Sequence, residues 1–175
     1  MPLSMHSASV PIFLRTLNNM LAWLDKAEQN AKARNFDPNN YLGLRLTPDM
    51  LPFARQIQIA TDSAKNCVAR LSGVEPPKWA DDENTLGELR ARIEKSIEYV
   101  QSIPESEIDG TELREIVMPA GPDRTFSFAG ESFLTGFSLP NFFFHATMTY
   151  ALLRHGGVEL GKMDYLGPLE TSDPT

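Results

Sequence analysis

Cysteine is nearly absent from this chain. Cys67 is the only one in 175 residues, which excludes an internal disulfide and any cysteine-based zinc cage. Histidine is almost as scarce, with three copies, so a metal site rich in imidazole has few residues to draw on. Only 16 residues are Lys or Arg, and they are scattered rather than clustered. With a net charge of −7 and a pI near 5.0, a phosphate-tracking groove is not expected, and no nucleic-acid partner is expected either. No apolar run reaches the length of about 18 residues that a membrane helix needs, so no membrane partner is expected. The N-terminal stretch lacks a basic start followed by an apolar segment, which makes a cytoplasmic protein the expectation. No GxSxG elbow, phosphate loop or HExxH pair occurs.

What is present is helical periodicity. After an irregular lead-in containing His6, Ser9 reads as an N-cap with Pro11 in the first turn. Apolar residues at helical spacing, Phe13, Leu17, Met20, Leu24, Ala27 and Ala31 among them, then define a long first helix ending near Asn35. A connector follows with one helical turn near Asn39. Thr47-Pro48 reads as the start of a second helix whose stripe contains Ile57, Ala60, Ala64, Cys67 and Leu71, with Gly73 suited to the C′ position. Cys67 lies within that stripe and reads as a buried, inert thiol.

The proline-rich acidic loop 74–84 leads to a third helix. Thr85 and Glu88 form its capping box, and Pro104 stands beyond its end. Its charged residues, Arg90 and Arg92 included, read as a solvated face with local ion pairs. The run Asp81-Asp82-Glu83 reads as solvated loop. Segments 114–118 and 124–128, rich in strand formers around PAGPD, predict a small hairpin. A fourth helix is expected from about Glu131 to His155, kinked by Pro140 just before the aromatic run Phe142 to Phe144. Residues 158–167 are expected to pack back through Leu160 and Tyr165, and 168–175 to form a flexible tail. The fold class is therefore all-α: a four-helix bundle occupying residues 1–167 as one domain, with a hairpin inserted before the last helix.

On the fourth helix, Asn141 and His145 are i,i+4 neighbours and share a face. The same arithmetic places Gln56 and Asp49 on or beside the buried stripe of the second helix. Gln56, Asn141 and His145 thus form a candidate polar cluster between the two helices, with Asp49 as a further pocket candidate. His155 lies ten residues past His145, roughly 15 Å along a helix, too far for both to bind one ion.

Three blocks carry a family likeness: SMHSASVPIF, LTPDMLPFARQIQIATDSAK and FSLPNFFFHATMTYALLRHGGVELGKMDYLG. Together with the order of elements they resemble the DinB-like superfamily of metalloenzymes, and within it a bacterial and fungal family of unknown function. The likeness spans about Met5 to Gly167. It implies a metal site of three histidines, one on helix two and an i,i+4 pair on helix four. Position by position, His145 stands at the second member of that pair, Asn141 at the first and Gln56 at the helix-two ligand. Two of the three positions therefore depart from the pattern, and neutral amides are poor ligands for zinc or nickel. The weaker set that remains is His145 with Asp49 or His6. The expected function is a small-molecule-binding bundle with an incomplete ligand set for a divalent metal. The likeness also implies a metal- or thiol-dependent transferase or isomerase as one alternative, and a non-catalytic homodimer is another. A DNA-damage role, suggested by the superfamily's name, is an association at the level of fold.

Overall fold

The computed structural model describes residues 3–121 and 123–169. The principal helices are α1 (Val10–Ala33), α2 (Phe53–Ser72), α3 (Leu86–Ser102) and α6 (Leu139–His155). Shorter pieces join them: a 3₁₀ turn at Pro38–Gly43, α4 (Glu105–Ile108), strands β1 (Glu115–Pro119) and β2 (Thr125–Ala129), α5 (Gly130–Phe133) and α7 (Lys162–Leu166). This is the mostly helical bundle with a small inserted hairpin that the periodicity predicts.

Helix directions follow from which side chains meet. Phe13 packs against Phe142 and Trp23 against Tyr150, so α1 and α6 run parallel. Gln56 meets His145 while Ser63 meets Asn141, so α6 runs antiparallel to α2. Arg92 reaches the carbonyl of Gln58 and Ser96 that of Thr61, so α2 and α3 run parallel. The bundle is therefore up-down-down-up. A parallel pair requires the chain to return the length of a helix, about 30 Å for α2. That is the task of segment 73–85.

The segment is fastened by charge. Arg92, with its side chain 2% exposed, holds Asp81 at 2.9 Å, Glu83 at 2.8 Å and Asp62 of α2 at 3.1 Å. Lys65, also buried, bonds Asp62 and the Pro77 carbonyl. Its ammonium lies 4.3 Å from the Trp79 ring centre. Arg92 is thus no part of a solvated face, and Asp81 and Glu83 are not free loop charges; both expectations are corrected. The capping box forms as expected: Glu88 N–H donates to Thr85 Oγ1 and Thr85 N–H to Glu88 Oε2. Asn39 of the 3₁₀ turn adds a bond to the Leu86 amide.

Helix α2 begins five residues later than Thr47-Pro48 suggests. Leu51 precedes Pro52 and is steered away from helical angles, and Pro52 has no N–H to close a turn. Pro52 is instead the extended N-cap, and Thr47 to Met50 form a separate turn. Asp49 accordingly lies in the connector, exposed and bonded to the Thr47 hydroxyl, which corrects its placement beside the buried stripe.

The hairpin is antiparallel with Val117 opposite Ser127. Phe128 turns inward onto Phe133 and Phe137. Between α5 and α6 the chain makes one π turn, Leu134–Ser138, whose closing bond runs from Leu139 N–H to the Leu134 carbonyl. Pro140 accounts for it. In a regular helix its ring would press on the Gly136 carbonyl four residues back, and widening the turn relieves that clash. Downstream, Trp23 Nε1–H donates to the Asp164 carbonyl and Tyr165 stacks on the indole, which docks α7 on α1. The tail expected from 168 onward falls outside the described residues from position 170.

Candidate functional site

His145 projects from the middle of α6 toward α2 and is 8% exposed. Its Nδ1 lies 2.7 Å from Gln56 Oε1. The amide cannot be reversed at no cost, because Gln56 Nε2 donates to the Leu51 carbonyl at 2.9 Å. Nδ1 therefore carries the proton and donates it to Oε1, which leaves Nε2 with its lone pair. Leu51 is where Pro52 delays the helix, so the late start of α2 supplies the carbonyl that orients Gln56.

Nε2 has no hydrogen-bond partner among the described residues. No side-chain nitrogen or oxygen there is both fully enclosed and unpaired, so Nε2 reaches solvent. Burial pushes the His145 pKa below its ordinary value, and the Arg55 guanidinium nearby pushes the same way. The group is a neutral imidazole of fixed tautomer. Phe144, 53% exposed, stands perpendicular to it at 5.1 Å. Arg55 is held by Asp81 and by Gln58 Oε1, so the crossover segment helps keep the cation within electrostatic range of the ring.

The other sequence candidates separate. Asn141 donates from Nδ2 to Ser63 Oγ at 2.7 Å, and Ser63 donates to the Ile59 carbonyl. It does not join Gln56 and His145; it lines a cleft of about 250 Å³ between α2, the hairpin and the π turn. Asp49 is in the connector. His6 sits at the entry to α1, where its backbone N–H donates to Asp109. Cys67 is buried in the bundle, its thiol pushed up to about 12 by burial.

The residues at the three ligand positions do not fit a three-histidine metal ion. Both functions of the Gln56 amide are engaged, the Asn141 nitrogen is bonded to Ser63, and only His145 offers an imidazole. Among the described residues no three His, Cys, Asp or Glu side chains gather closely enough to hold an ion. Arg55, Ser63 and Arg70 are polar neighbours of these candidates that periodicity alone does not single out. The one available signal was the density of amides, hydroxyls and cations on the same stretch of α2.

Comparisons with known proteins agree with the architecture. The crystal structure of a DinB family member protein from Shewanella denitrificans superposes with a TM-score of 0.89 and 37% sequence identity, covering 97% of this chain and 95% of that one. The profile of a domain of unknown function (DUF1993) matches residues 5–166. No curated protein matches. The fold is that of a DinB-type helical bundle. Within that class the chain belongs to the DUF1993 family.

Among the described residues no helix is long and apolar enough to cross a membrane.

Proposed function

We propose that this chain binds a small molecule at His145, using the neutral imidazole as a hydrogen-bond acceptor or general base. The observation that carries the reading is the relay from His145 Nδ1–H to Gln56 and from Gln56 to the Leu51 carbonyl. It fixes the tautomer and directs the Nε2 lone pair outward. A group built this way recognises an N–H, O–H or S–H donor. Arg55 disfavours a cationic ligand, and Phe144 offers an apolar face.

Metal content and a probe titration test the reading together. Protein purified without added ions should contain no stoichiometric zinc or nickel, and phenol should shift the His145 ¹⁵Nε2 resonance saturably. Stoichiometric metal bound through His145, or phenol leaving that nitrogen unmoved, defeats it. A thiol-dependent transferase would need the same lone pair to take up the thiol proton, so the titration repeated with a low-molecular-weight thiol tests that alternative.

A second reading is a non-catalytic homodimer. Exposed Val117 and Phe126 on the hairpin favour it, together with Phe144. Light scattering that finds a monomer at micromolar concentration speaks against it.

A further inference from the structure

The cleft beside Asn141 has features that the His145 reading does not use. Its polar side is formed by Ser63, Asn66, Arg70 and Asn141. Phe133, Phe137 and Met118 form the apolar side. Arg70 is partly withdrawn from solvent, yet its guanidinium makes no ion pair and no hydrogen bond among the described residues, while its carbonyl accepts from the Gly73 amide. The other arginines withdrawn from solvent, Arg55, Arg90 and Arg92, each hold a carboxylate. Arg70 also borders a smaller recess of about 170 Å³ shared with Glu75, Arg114 and Glu115, but no carboxylate there pairs with it. Asp62 edges the main cleft, and its charge is engaged by Lys65 and Arg92. Burial lowers the Arg70 pKa, Glu75 offsetting only part of it, as for a cation short of a counter-ion.

Asn141 has a fixed orientation as well. Ser63 donates to Ile59, so Asn141 must present Nδ2 to Ser63, and its Oδ1 is left without a partner among the described residues.

From this arrangement we infer that the cleft is a binding site for a small monocarboxylate with a short apolar arm. The carboxylate would sit on the Arg70 guanidinium, with Asn66 adding a donor, and the arm would lie against Phe133 and Phe137. A guanidinium matches the carboxylate fork, and one partly withdrawn from water gains more from the pairing than an exposed one. A cleft of about 250 Å³ is smaller than the usual drug-sized pocket, which limits the arm to roughly one ring. The π turn places Phe137 in this wall, and such turns recur at functional sites. The inference stands independently of the reading of His145.

The test is an NMR titration of the full chain with benzoate, and with benzamide as its neutral counterpart. Benzoate should bind saturably and perturb the Asn66 and Asn141 side-chain amides and the Arg70 Nε–H, while benzamide binds about tenfold more weakly or worse. Arg70→Gln should weaken benzoate by a similar factor, and Arg15→Gln, on an exposed arginine of α1, should not. If Arg70→Gln impairs folding, Asn141→Asp supplies the check, since a second negative charge in the cleft should repel benzoate and spare benzamide. Equal binding of the two probes, benzoate binding unchanged in Arg70→Gln, or no saturable binding overturns the inference.

Discussion

His145 and Gln56 are joined across the α2–α6 interface by a 2.7 Å bond whose direction is set by a third group, the Leu51 carbonyl. Long-range ¹H–¹⁵N spectra should accordingly show Nδ1 protonated and Nε2 bare at neutral pH. Gln56→Leu removes the acceptor and leaves a nearly buried N–H unpaired, at a cost of about 1–3 kcal/mol. The ring then has reason to move its proton to Nε2, where water can accept it. Reduced stability together with a tautomer change is the expected pair of results. A Gln56→Leu spectrum still showing Nδ1–H as the dominant form would mean that something other than Gln56 holds the ring.

Arg92 is the most consequential charged residue outside that interface. Its guanidinium serves Asp62, Asp81 and Glu83, and Thr61 Oγ1 accepts from its Nε–H. Truncating one member of a buried ionic group leaves the others desolvated and unpaired, which typically costs 3–5 kcal/mol. Asp62 and Asp81 are each about a third exposed and can recover some hydration, which places Arg92→Ala near the lower end, about 3 kcal/mol. Urea unfolding at neutral pH measures the cost. Proteolytic nicking within 74–84 should rise in parallel, because Arg92 fastens that segment.

These two groups show where sequence reasoning succeeds and where it stops. Helical spacing predicts which faces of α1, α2 and α3 turn inward, and the Thr85–Glu88 box marks the start of α3, because both signals act within a few residues. The meeting of Gln56 with His145 follows from the same arithmetic. Arg92 looks like a solvated residue because its partners Asp81 and Glu83 come from a crossover whose path depends on α2 and α3 being parallel. Asp49 is misplaced because Thr47-Pro48 has the local form of a helix start while Pro52, four residues on, prevents the turn from closing. Asn141 finds Ser63 rather than Gln56 because the choice between two α2 partners is made by side-chain reach across the interface, which periodicity along one helix cannot express.

Gly130 illustrates a tolerance that is absent for steric reasons. A Cβ there would run into the Thr111 carbonyl oxygen, a clash with backbone on both sides. The same approach lets Glu131 N–H donate to the Glu112 carbonyl, fixing the exit of β2 against the chain entering β1. Gly130→Ala should cost at least the 1–3 kcal/mol typical of overpacking. The damage should be local first, with amide exchange accelerating in β1 and β2 before it does in α1. Calorimetry and hydrogen exchange on the variant check both parts, and unchanged hairpin exchange would show that the backbone there can yield.

The pH dependence of stability gives a last, quantitative handle on His145. Its folded pKa lies below the ordinary value of 6.5, with burial the first cause and Arg55 the second. Well above 6.5 the ring is neutral in both folded and unfolded chains, and it adds no pH dependence. As pH falls through 6.5 the unfolded chain takes up a proton that the folded chain refuses. The unfolded state then binds more protons, so stability declines with falling pH until the folded pKa is also passed. His145→Gln removes this contribution. Many carboxylates titrate at lower pH in both proteins, so the informative quantity is the difference between wild type and His145→Gln in urea midpoint. That difference should be constant well above pH 6.5 and shift in favour of the variant as pH falls through that value. A difference that stays constant down to the carboxylate range would show the ring protonating in the folded chain at its ordinary pKa, and the neutral Nε2 acceptor would lose its basis.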